Sequence, residues 1–576
     1  MSRHVTFAAA ASLVAGVLVA TAPIAARPTK PQDAPSGERR LVLLYTAEVH
    51  GAVEPCGCTS DPLGDVSRLA AMLADERRGG AAVALLDAGG LLYPEGAISA
   101  KERASADLRA DMLAAQYERM GLLGAALGET DAAGGAAHVR PKRLASNFTG
   151  APAFVRAPSV QTVGDVAVGT LGIGDPAAAA ALGVKTEDMT EAARRDVAAL
   201  RRAGADVVVL LAAVEKAAAR RLANDAGADV VVVGKRVGQG APRTERVGRA
   251  YLVTPAEEMQ RVGRLEIVLR GARTPGVAPA LTDGGSSETD RLRREEIDRA
   301  LERLRVGLSK WNAPATGGRK NGSPSGNDDS FVAAKKREQA ELESEKLHLN
   351  AEWKAPTTGS YVSGGLVPLR RSLRRDPTVV AAMKKLDQQI AAVNLKAATP
   401  PPPAEPGRAS YVGQSRCVKC HTSAAAFWTK TVHAHAWKTL VDGGKQADYK
   451  CVGCHVTGFG QVGGSTLGFT KKLESVQCET CHGPGSLHVA GEGNEEPLAI
   501  RRDAAETVCL GCHTEQHSDT FQFEAYLRDI VGIGHGRARR EKLGPGVTGH
   551  ELRTAALARA KLAGAMPATP ALKTKM

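Results

Sequence analysis

The first half of the chain alternates short apolar runs with alanine-rich stretches that carry charged residues at helical spacing. Apolar runs bounded by turn residues predict buried strands, and the stretches between them predict helices. The predicted strands are Val42–Tyr45, Val83–Asp87, Val166–Leu171, Val207–Leu211 and Val230–Val233, and the predicted helices are Gly64–Asp75, Lys101–Met120, Glu191–Ala203 and Lys216–Ala226. Residues 39–271 are therefore expected to form an α/β domain whose buried sheet is covered by helices.

The pattern changes in residues 285–399, where charged residues dominate. A loop is expected over Ala313–Asp329, and a charged helix over Phe331–Leu349. Apolar residues recur at near-helical spacing in an exposed amphipathic helix at Leu292, Ile297, Leu301, Leu304 and Leu308. Asp376 and Pro377 predict the start of another helix. Its apolar face would hold Val379, Met383, Leu386, Ile390 and Val393.

We interpret residues 285–399 as a helical connector that packs on the first domain or forms a dimer contact. Pro400–Pro403 and Pro406 then predict a stiff spacer over residues 400–408. The overall expectation is a multidomain chain that ends in a smaller domain over residues 409–536 and a tail over residues 537–576.

Four copies of the pentapeptide CxxCH lie close together in that smaller domain. Two thiols at this spacing can add to one haem, and the histidine that follows can bind the iron from one face. A zinc site or a disulfide cluster is the alternative, but neither requires histidine after every second cysteine. The sequence thus predicts four covalently bound haem c groups. The cysteines are Cys417, Cys420, Cys451, Cys454, Cys478, Cys481, Cys509 and Cys512, and the proximal histidines are His421, His455, His482 and His513.

The second axial ligands are expected to be histidines. Methionine is nearly excluded, because only Met566 and Met576 lie beyond Cys417. Bis-histidine haems have lower reduction potentials than Met/His haems, which favours electron transfer at low to moderate potential. The remaining histidines of this half are His433, His435, His488, His517, His535 and His550.

Haem attachment of this kind takes place outside the inner membrane, and the start of the chain has the features of an export signal. Arg3 and His4 precede the apolar stretch Val5–Ala20, and small residues follow it. A retained anchor is the alternative, but the stretch is short for a span of about 20 residues. We expect residues 1–26 to be a cleaved signal peptide and the mature protein to be periplasmic.

The chain has a formal net charge of +13, and much of the excess lies in residues 537–576. This tail could dock an acidic redox partner or lie on an anionic membrane surface, but a solvated terminus is the simpler interpretation. Eight haem propionates would offset much of the positive charge. The sequence contains no nucleic-acid-binding motif.

Residues around three of the CxxCH motifs also form a distinctive pattern. The first motif is followed by Trp428 and by Thr431-Val432-His433-Ala434, the second by a glycine-rich run over 458–464, and the third by Gly483-Pro484-Gly485. In these features the domain resembles the tetrahaem cytochrome c-554 family. The resemblance implies a mainly α-helical multihaem cytochrome.

The resemblance also bears on the distal ligands. It implies that His433 binds iron, and His488 corresponds loosely to a distal ligand of the family. His517 and His535 follow the last motif, where the family supplies another ligand. His435 is a rival of His433, and His550 is expected outside the fold. The resemblance further implies that the haem on Cys451 and Cys454 is five-coordinate, and an open iron would admit a small ligand.

The N-terminal domain resembles the calcineurin-like metallophosphoesterases of periplasmic 5'-nucleotidases. Its first strand is followed by Glu48-Val49-His50-Gly51, where the family has a metal-binding Asp-x-His-Gly. The family's bridging carboxylate and its other histidines have no counterparts, and Lys235 and Arg236 replace metal ligands. A two-metal hydrolase needs those groups. Glu48 and His50 are therefore interpreted as a vestigial metal site, and phosphoesterase activity is not expected.

Cys56 and Cys58 remain unassigned. In an oxidising compartment they could close a strained disulfide, bind a metal with His50 or exchange electrons. A structural disulfide or an idle thiol pair is the simpler interpretation.

Three functions follow from these patterns. The first is a periplasmic electron carrier between a donor and an acceptor protein. The second is a redox enzyme that acts on a small nitrogen or sulfur compound at an open haem. The third is a phosphoesterase, against which the missing ligands count.

With few aromatic residues and four porphyrins to enclose, the haem domain should fold only around its cofactors. We expect circular dichroism of a variant with its CxxCH cysteines replaced by alanine to show loss of the domain's helicity, with the N-terminal domain retained. Native helicity in that variant would contradict the expectation.

Overall fold

The computed structural model describes residues 37–565, apart from residue 56, a discontinuous set between 286 and 325, and residues 350–353, 494–498 and 515. The predicted signal peptide, Cys56, Leu292 and residues 313–325 of the predicted loop lie outside the described residues. No helix in the described part of the chain combines the length and the apolar character needed to cross a bilayer.

The N-terminal half contains two six-stranded sheets. In the first sheet the strand order is β13-β14-β12-β1-β2-β3, with β1, β2 and β3 parallel and β12 antiparallel to β1. The strands of this sheet are β1 (Arg39–Thr46), β2 (Ala82–Asp87), β3 (Leu122–Ala125), β12 (Arg261–Leu269), β13 (Leu281–Asp283) and β14 (Ser360–Pro368).

The second sheet has the order β10-β11-β9-β8-β7-β6, and its central strands β7, β8, β9 and β11 are parallel. Its strands are β6 (Ser159–Val163), β7 (Val166–Ile173), β8 (Val207–Glu215), β9 (Val230–Lys235), β10 (Glu245–Val247) and β11 (Ala250–Val253). A separate short pair is formed by β4 (Arg143–Leu144) and β5 (Val155–Arg156). All five predicted strands are present.

The sheets pack face to face, because residues from both sheets form one buried core. Strand β1 is buried on both of its sides. Leu41, Leu43 and Tyr45 join the core between the two sheets, whereas Val42 and Leu44 join a second core under helices. This alternation is that of a strand with period two. Tyr45 lies opposite Gly263 of β12, where a Cβ atom would fall 1.9 Å from the tyrosine ring. Glycine at 263 is thus required by the buried ring.

The four predicted helices of this half are also present. They are α1 (Val66–Arg78), α2 (Arg103–Arg119), α4 (Met189–Arg202) and α5 (Lys216–Asp225), and a fifth helix, α3 (Pro176–Ala181), was not predicted. Asp65 and Asp188 cap α1 and α4 by accepting hydrogen bonds from backbone amides of the first turn. The predicted α/β fold class is confirmed.

The connector differs from its prediction in two places. The expected loop is wrong for Gly326–Asp329, which begin helix α6 (Gly326–His348). A purely helical connector is wrong for Ser360–Pro368, since this segment is β14 and pairs along the length of β12. Its alternating pattern was obscured by Gly364 and Gly365, and the pairing partner is distant in sequence.

Helix α7 (Pro377–Ala397) joins the two halves of the protein. Asp376 caps it by accepting a hydrogen bond from the amide of Val379, as predicted. Val379, Met383, Leu386 and Ile390 are buried against α1 and α2, whereas Val393 is only half-buried. Near the other end, the Asn394 amide donates to the carbonyl of Ala447. The connector therefore packs on the first domain.

Ion pairs reinforce this junction. The buried Arg109 of α2 donates to Asp448, 2.6 Å away, and Lys445 pairs with Asp387 at 2.6 Å and with Glu54. Together with Asn394, these contacts fix the haem-motif region against the N-terminal half.

The C-terminal region consists of short helices separated by turns. Its small apolar cluster is built on Ala447, Val452, Val456 and Leu467. The helices are α8 (Gln414–Cys417), α9 (Thr422–Trp428), α10 (Ala436–Gly443), α11 (Tyr449–Val452), α12 (Cys478–His482), α13 (Ser486–Ala490), α14 (Glu506–Leu510), α15 (Phe523–Ile530), α16 (Arg537–Leu543) and α17 (Gly549–Ala565).

The basic tail is not a solvated terminus over its described part. Helices α16 and α17 pack against α15, and the amide of His550 donates to Asp529. Arg553 reaches the N-terminal half and donates to the carbonyl of Cys58 at 2.6 Å. The simpler interpretation of the tail was therefore wrong for residues 537–565, and His550 lies within the fold.

Asp87, Asp131 and Arg143 are fully buried near the end of β2. Arg143 donates to Asp131, which also accepts from the amides of Gly90 and Leu92. Asp87 accepts from the hydroxyl of Thr46, and burial raises the pKa of Asp87 to about 7, opposed in part by Arg143. One guanidinium thus faces two carboxyl groups, and the protonated form of Asp87 balances the charge.

This raised pKa predicts a pH-dependent stability. The folded state binds a proton at Asp87 that the unfolded state releases near pH 4, so stability falls as pH rises from about 4 to 7, by up to about 4 kcal/mol. Asp87→Asn mimics the protonated form and should remove this loss. We expect hydrogen-exchange protection of β2 amides in the variant to match wild type at pH 4 and exceed it at pH 8. Parallel pH profiles would contradict the assignment.

Candidate functional site

The N-terminal candidate site lies where β1 ends. Glu48 is buried, and its carboxylate accepts hydrogen bonds from the amides of Arg236 and Val237, each at 2.8 Å. Both Glu48 and His50 have positive φ angles, of 47° and 54°. Glu48 therefore joins the loop after β1 to the loop after β9, and its two oxygens are engaged by backbone.

His50 lies beside two carboxylates. Its Nε2 is 4.0 Å from Glu48 and 3.8 Å from the exposed Glu95. Ligand atoms of these three residues fall within 4.8 Å of one another. The sequence prediction missed Glu95, because no spacing rule joins it to the other two. This donor set does not fit a dinuclear centre, which needs a bridging carboxylate and several more ligands.

Lys235 and Arg236 are engaged by carboxylates. The Lys235 ammonium lies 2.7 Å from both Asp175 and Glu129, and Arg236 pairs with Glu215 at 2.8 Å. Burial alone would lower the pKa of Lys235, but its two carboxylate partners raise it above the ordinary value. A fixed ammonium therefore neutralises the acidic groups at this edge of the sheets.

The four CxxCH motifs lie together in the C-terminal region. The thiol of Cys417 lies beside that of Cys478 and the thiol of Cys454 beside that of Cys512, while Cys481 is close enough to Cys509 for an electrostatic interaction. The motifs are thus neighbours in the order first, third, fourth, second. This order could not be predicted from the sequence.

Histidine rings from different parts of the chain face each other. The ring centres of His421 and His488 are 6.3 Å apart with an interplanar angle of 24°, and those of His433 and His513 are 6.1 Å apart. His535 lies near His482, and burial together with the charge of His482 lowers the pKa of His535. Burial lowers the pKa of His433 to about 4, which keeps the ring neutral and able to bind a metal.

Three of the motif histidines are oriented through Nδ1. The Nδ1 atom lies 2.6 Å from the carbonyl of Ala436 in His455, 2.7 Å from that of Arg501 in His482, and 2.9 Å from the hydroxyl of Ser518 in His513. Such a bond fixes the ring and leaves Nε2 available for a metal. Sequence reasoning did not identify these partners, since backbone carbonyls carry no sequence signature and no motif points to Ser518.

The other histidines have different surroundings. The Nδ1 atoms of His488 and His535 are buried with no hydrogen-bond partner in the described structure. His517 is exposed and bonded to the hydroxyl of Thr514 at 2.7 Å. Among the residues described, His455 and His517 have no ring contact with another histidine, and His482 and His535 are related only by proximity, which adds to the effect of burial in lowering the pKa of His535.

The first three motifs fall within a recognised family. Residues 416–483 match the family model described as cytochrome c554 and c-prime. Over 115 residues the chain is 40% identical to cytochrome c-554 of Nitrosomonas europaea, which is 17% of this chain and 48% of that protein. The chain therefore spans about half the length of this relative. The C-terminal region contains a cytochrome c554 domain, which implies covalently bound haem c and confirms the predicted resemblance.

The N-terminal region resembles solved hydrolase structures, also as predicted. A 5'-nucleotidase precursor from Thermus thermophilus has 15% identity and a TM-score of 0.39, covering 71% of this chain and 68% of that one. The Thermus thermophilus sulfate thiohydrolase SoxB has 18% identity and a TM-score of 0.34, covering 41% and 54%.

The contacts of Lys235 predict a difference between two neighbouring cations. Lys235→Met should destabilise the N-terminal half by about 3 kcal/mol, because it leaves the buried Asp175 without its partner. Arg236→Met is the matched control and should cost less than about 0.5 kcal/mol, since that pair is exposed. Denaturant unfolding measures both, and equal losses would contradict a structural role specific to Lys235.

Proposed function

We propose that this chain is a periplasmic tetrahaem c-type cytochrome that transfers electrons between protein redox partners. The pairing of distant histidine rings at haem-compatible separation is the observation that carries the proposal. A c-type cytochrome region is established for residues 416–483 by the family match. The number of haems, their ligands and the cellular location are parts of the proposal.

The cysteines would hold the haems in four pairs. The residues are Cys417 with Cys420, Cys451 with Cys454, Cys478 with Cys481, and Cys509 with Cys512. The bound haem supplies an iron that alternates between the ferric and ferrous states. The protein attaches the porphyrin, selects the axial ligands and limits access of water.

Three haems would have two histidine ligands each. Imidazoles on opposite faces of one metal ion have ring centres roughly 6 Å apart, because each metal–nitrogen bond is about 2 Å. The separations of 6.3 Å for His421 and His488 and 6.1 Å for His433 and His513 agree with this value. His482 and His535 form the third proposed pair. Each pair combines a motif histidine with one that lies far away in the sequence, so haem binding would fix the tertiary structure.

The haem on Cys451 and Cys454 would differ from the others. Its proximal ligand His455 is oriented by Ala436 and faces no second histidine in the described structure. An iron with one protein ligand could bind a small molecule, which favours the second candidate function, a redox reaction on a small nitrogen or sulfur compound.

The proximity of the motifs suggests an electron path. Contacts between cysteines of different motifs support a relay in which the first haem is next to the third, the third to the fourth, and the fourth to the second. The haem that lacks a second histidine would then lie at one end of the relay. There it would be held against the N-terminal half through Asp448 and Arg109.

The N-terminal half acts in this proposal as a scaffold. Its buried carboxylates bind backbone amides, Arg143 and Lys235, which argues against a metal-dependent phosphoesterase. A cavity of about 170 Å³ does lie between this half and the second motif, lined in part by Glu95, Arg109 and Lys450. The N-terminal half therefore forms one wall of a cavity next to α11.

Electron paramagnetic resonance tests the ligand assignment. We expect the oxidised protein to show three low-spin haems and one high-spin haem, and mass spectrometry to show four haem additions. His488→Ala should convert one low-spin haem to high spin, because it removes the ligand opposite His421.

His517→Ala is the matched control, because that histidine is exposed and outside the proposed pairs. It should leave the spectrum unchanged. Four low-spin haems in the wild type would contradict an open site at His455, and absence of haem mass would overturn the proposed function.

A further inference from the structure

One exposed isoleucine lies next to a proposed iron ligand. Ile533 is 65% exposed and precedes His535 by two residues. A side chain of this kind on a surface is unremarkable when isolated. Here, however, the backbone on both sides of Ile533 is fixed by close packing.

Two glycines hold this loop flat on helix α9. A Cβ atom at Gly532 would fall 2.1 Å from the ring of Phe427, and one at Gly534 would fall 2.4 Å from the amide nitrogen of Ala424. Gly534 also has a φ angle of 101°, which other residues rarely adopt. The packing leaves Ile533 as the residue of the loop that projects outward, with His535 directed to the edge of the Phe427 ring.

Basic residues lie on two segments next to this loop, and we name them the cationic patch. Arg501 and Arg502 adjoin His482, since the amide of Arg501 donates to the His482 carbonyl at 2.7 Å. Helix α16 follows His535 directly and is joined to this segment by the pair of Arg539 with Asp503 at 3.4 Å. The patch consists of Arg501, Arg502, Arg537, Arg539, Arg540 and Lys542.

The patch has an excess of positive charge. Only Arg537 and Arg539 are paired within the described residues, with Glu541 and Asp503. Arg501, Arg502, Arg540 and Lys542 are exposed and have no ion-pair partner in that part of the chain. Unpaired exposed cations interact with solvent and are free to attract an anionic surface.

We propose that Ile533 and the cationic patch form the docking surface for an acidic redox protein, which exchanges electrons at the haem of His482 and His535. The proposal rests on the proposed function. An apolar centre with a charged rim is the anatomy of protein interfaces, and small interfaces of this type suit rapid electron-transfer encounters. The charges would accelerate association rather than provide strong binding.

The position of the patch favours a protein over a membrane. The cations lie on the two segments that adjoin the proposed iron ligands, where a redox partner must approach, whereas attraction to anionic lipid requires no such placement. Ile533 and the short, polar helix α16 also offer little apolar area for insertion into a bilayer.

Stopped-flow electron transfer tests the proposal with the full holo-protein. The probes are an acidic flavodoxin and a basic monohaem cytochrome c. We expect the rate constant with flavodoxin to fall about tenfold between low and high salt, and the rate with the basic cytochrome to lack this decrease. Arg540→Glu with Lys542→Glu should lower the flavodoxin rate about tenfold at low salt. Ile533→Ser should lower it at every salt concentration.

The matched control is Arg559→Glu with Lys561→Glu on α17, which makes the same change in net charge outside the patch. Its rate should stay within about twofold of wild type. Equal effects of the two double variants would overturn the proposal, as would loss of binding to anionic vesicles with unchanged flavodoxin rates. A shifted haem potential with unchanged salt dependence would also overturn it, because the cations would then serve the haem propionates.

A small-molecule reductant separates this proposal from the proposed function. If the reductant reduces the haems but the patch variants react like wild type, the docking surface is wrong and the cytochrome function stands. If no haem is reduced by any donor, the proposed function itself fails.

Discussion

A folded domain must bury enough apolar surface to offset the entropy of ordering its chain, and the C-terminal region has little of its own to bury. Its apolar cluster is built on Ala447, Val452, Val456 and Leu467, whereas the N-terminal half has two extensive cores. Short helices and turns cannot supply the difference. In the proposed holo-protein the porphyrins fill the interior, and the histidine pairs hold the chain around them. The same histidine–iron contacts would then determine both the ligand geometry and the stability of this domain.

In the N-terminal half, the buried acidic side chains are bound by protein cations or backbone amides rather than left free for a metal ion. Glu48 closes a junction between two loops, Asp131 binds Arg143, and Asp175 binds Lys235. Each carboxylate has a structural partner that a metal would have to displace. These partners stabilise the charged edge of the sheets, while α7 packs on α1 and α2 and contacts the second domain through Asn394.

The sequence was sufficient for the features that depend on local pattern. Strands such as Val207–Leu211 are continuous apolar runs, and the Asp376 cap of α7 follows from the side chain and the proline after it. The CxxCH motifs predict their cofactor because the spacing of the two thiols fits attachment to one haem. The α/β class of the N-terminal half could be predicted from the alternation of apolar runs and helical stretches along the chain.

The features that the sequence did not provide depend on distant pairing. Strand β14 gains its partner β12 across a long connector, and its two adjacent glycines weaken the strand pattern. The neighbour of each histidine is set by tertiary structure, so the sequence could name His488 and His535 as candidate ligands but could not assign them to His421 and His482. The folded tail was missed because its packing on α15 requires a surface that no local pattern reveals.

Helix α7 contributes one face to the N-terminal core and, through the side-chain amide of Asn394, a hydrogen bond to the carbonyl of Ala447, just ahead of the second motif. The two halves consequently share a boundary that neither can complete alone. If the haem domain failed to fold, the buried Arg109 and Asn394 of the retained N-terminal half would lose their partners, so the junction would be exposed to proteolysis. Quality control of the cytochrome would thereby extend to a segment that never contacts iron.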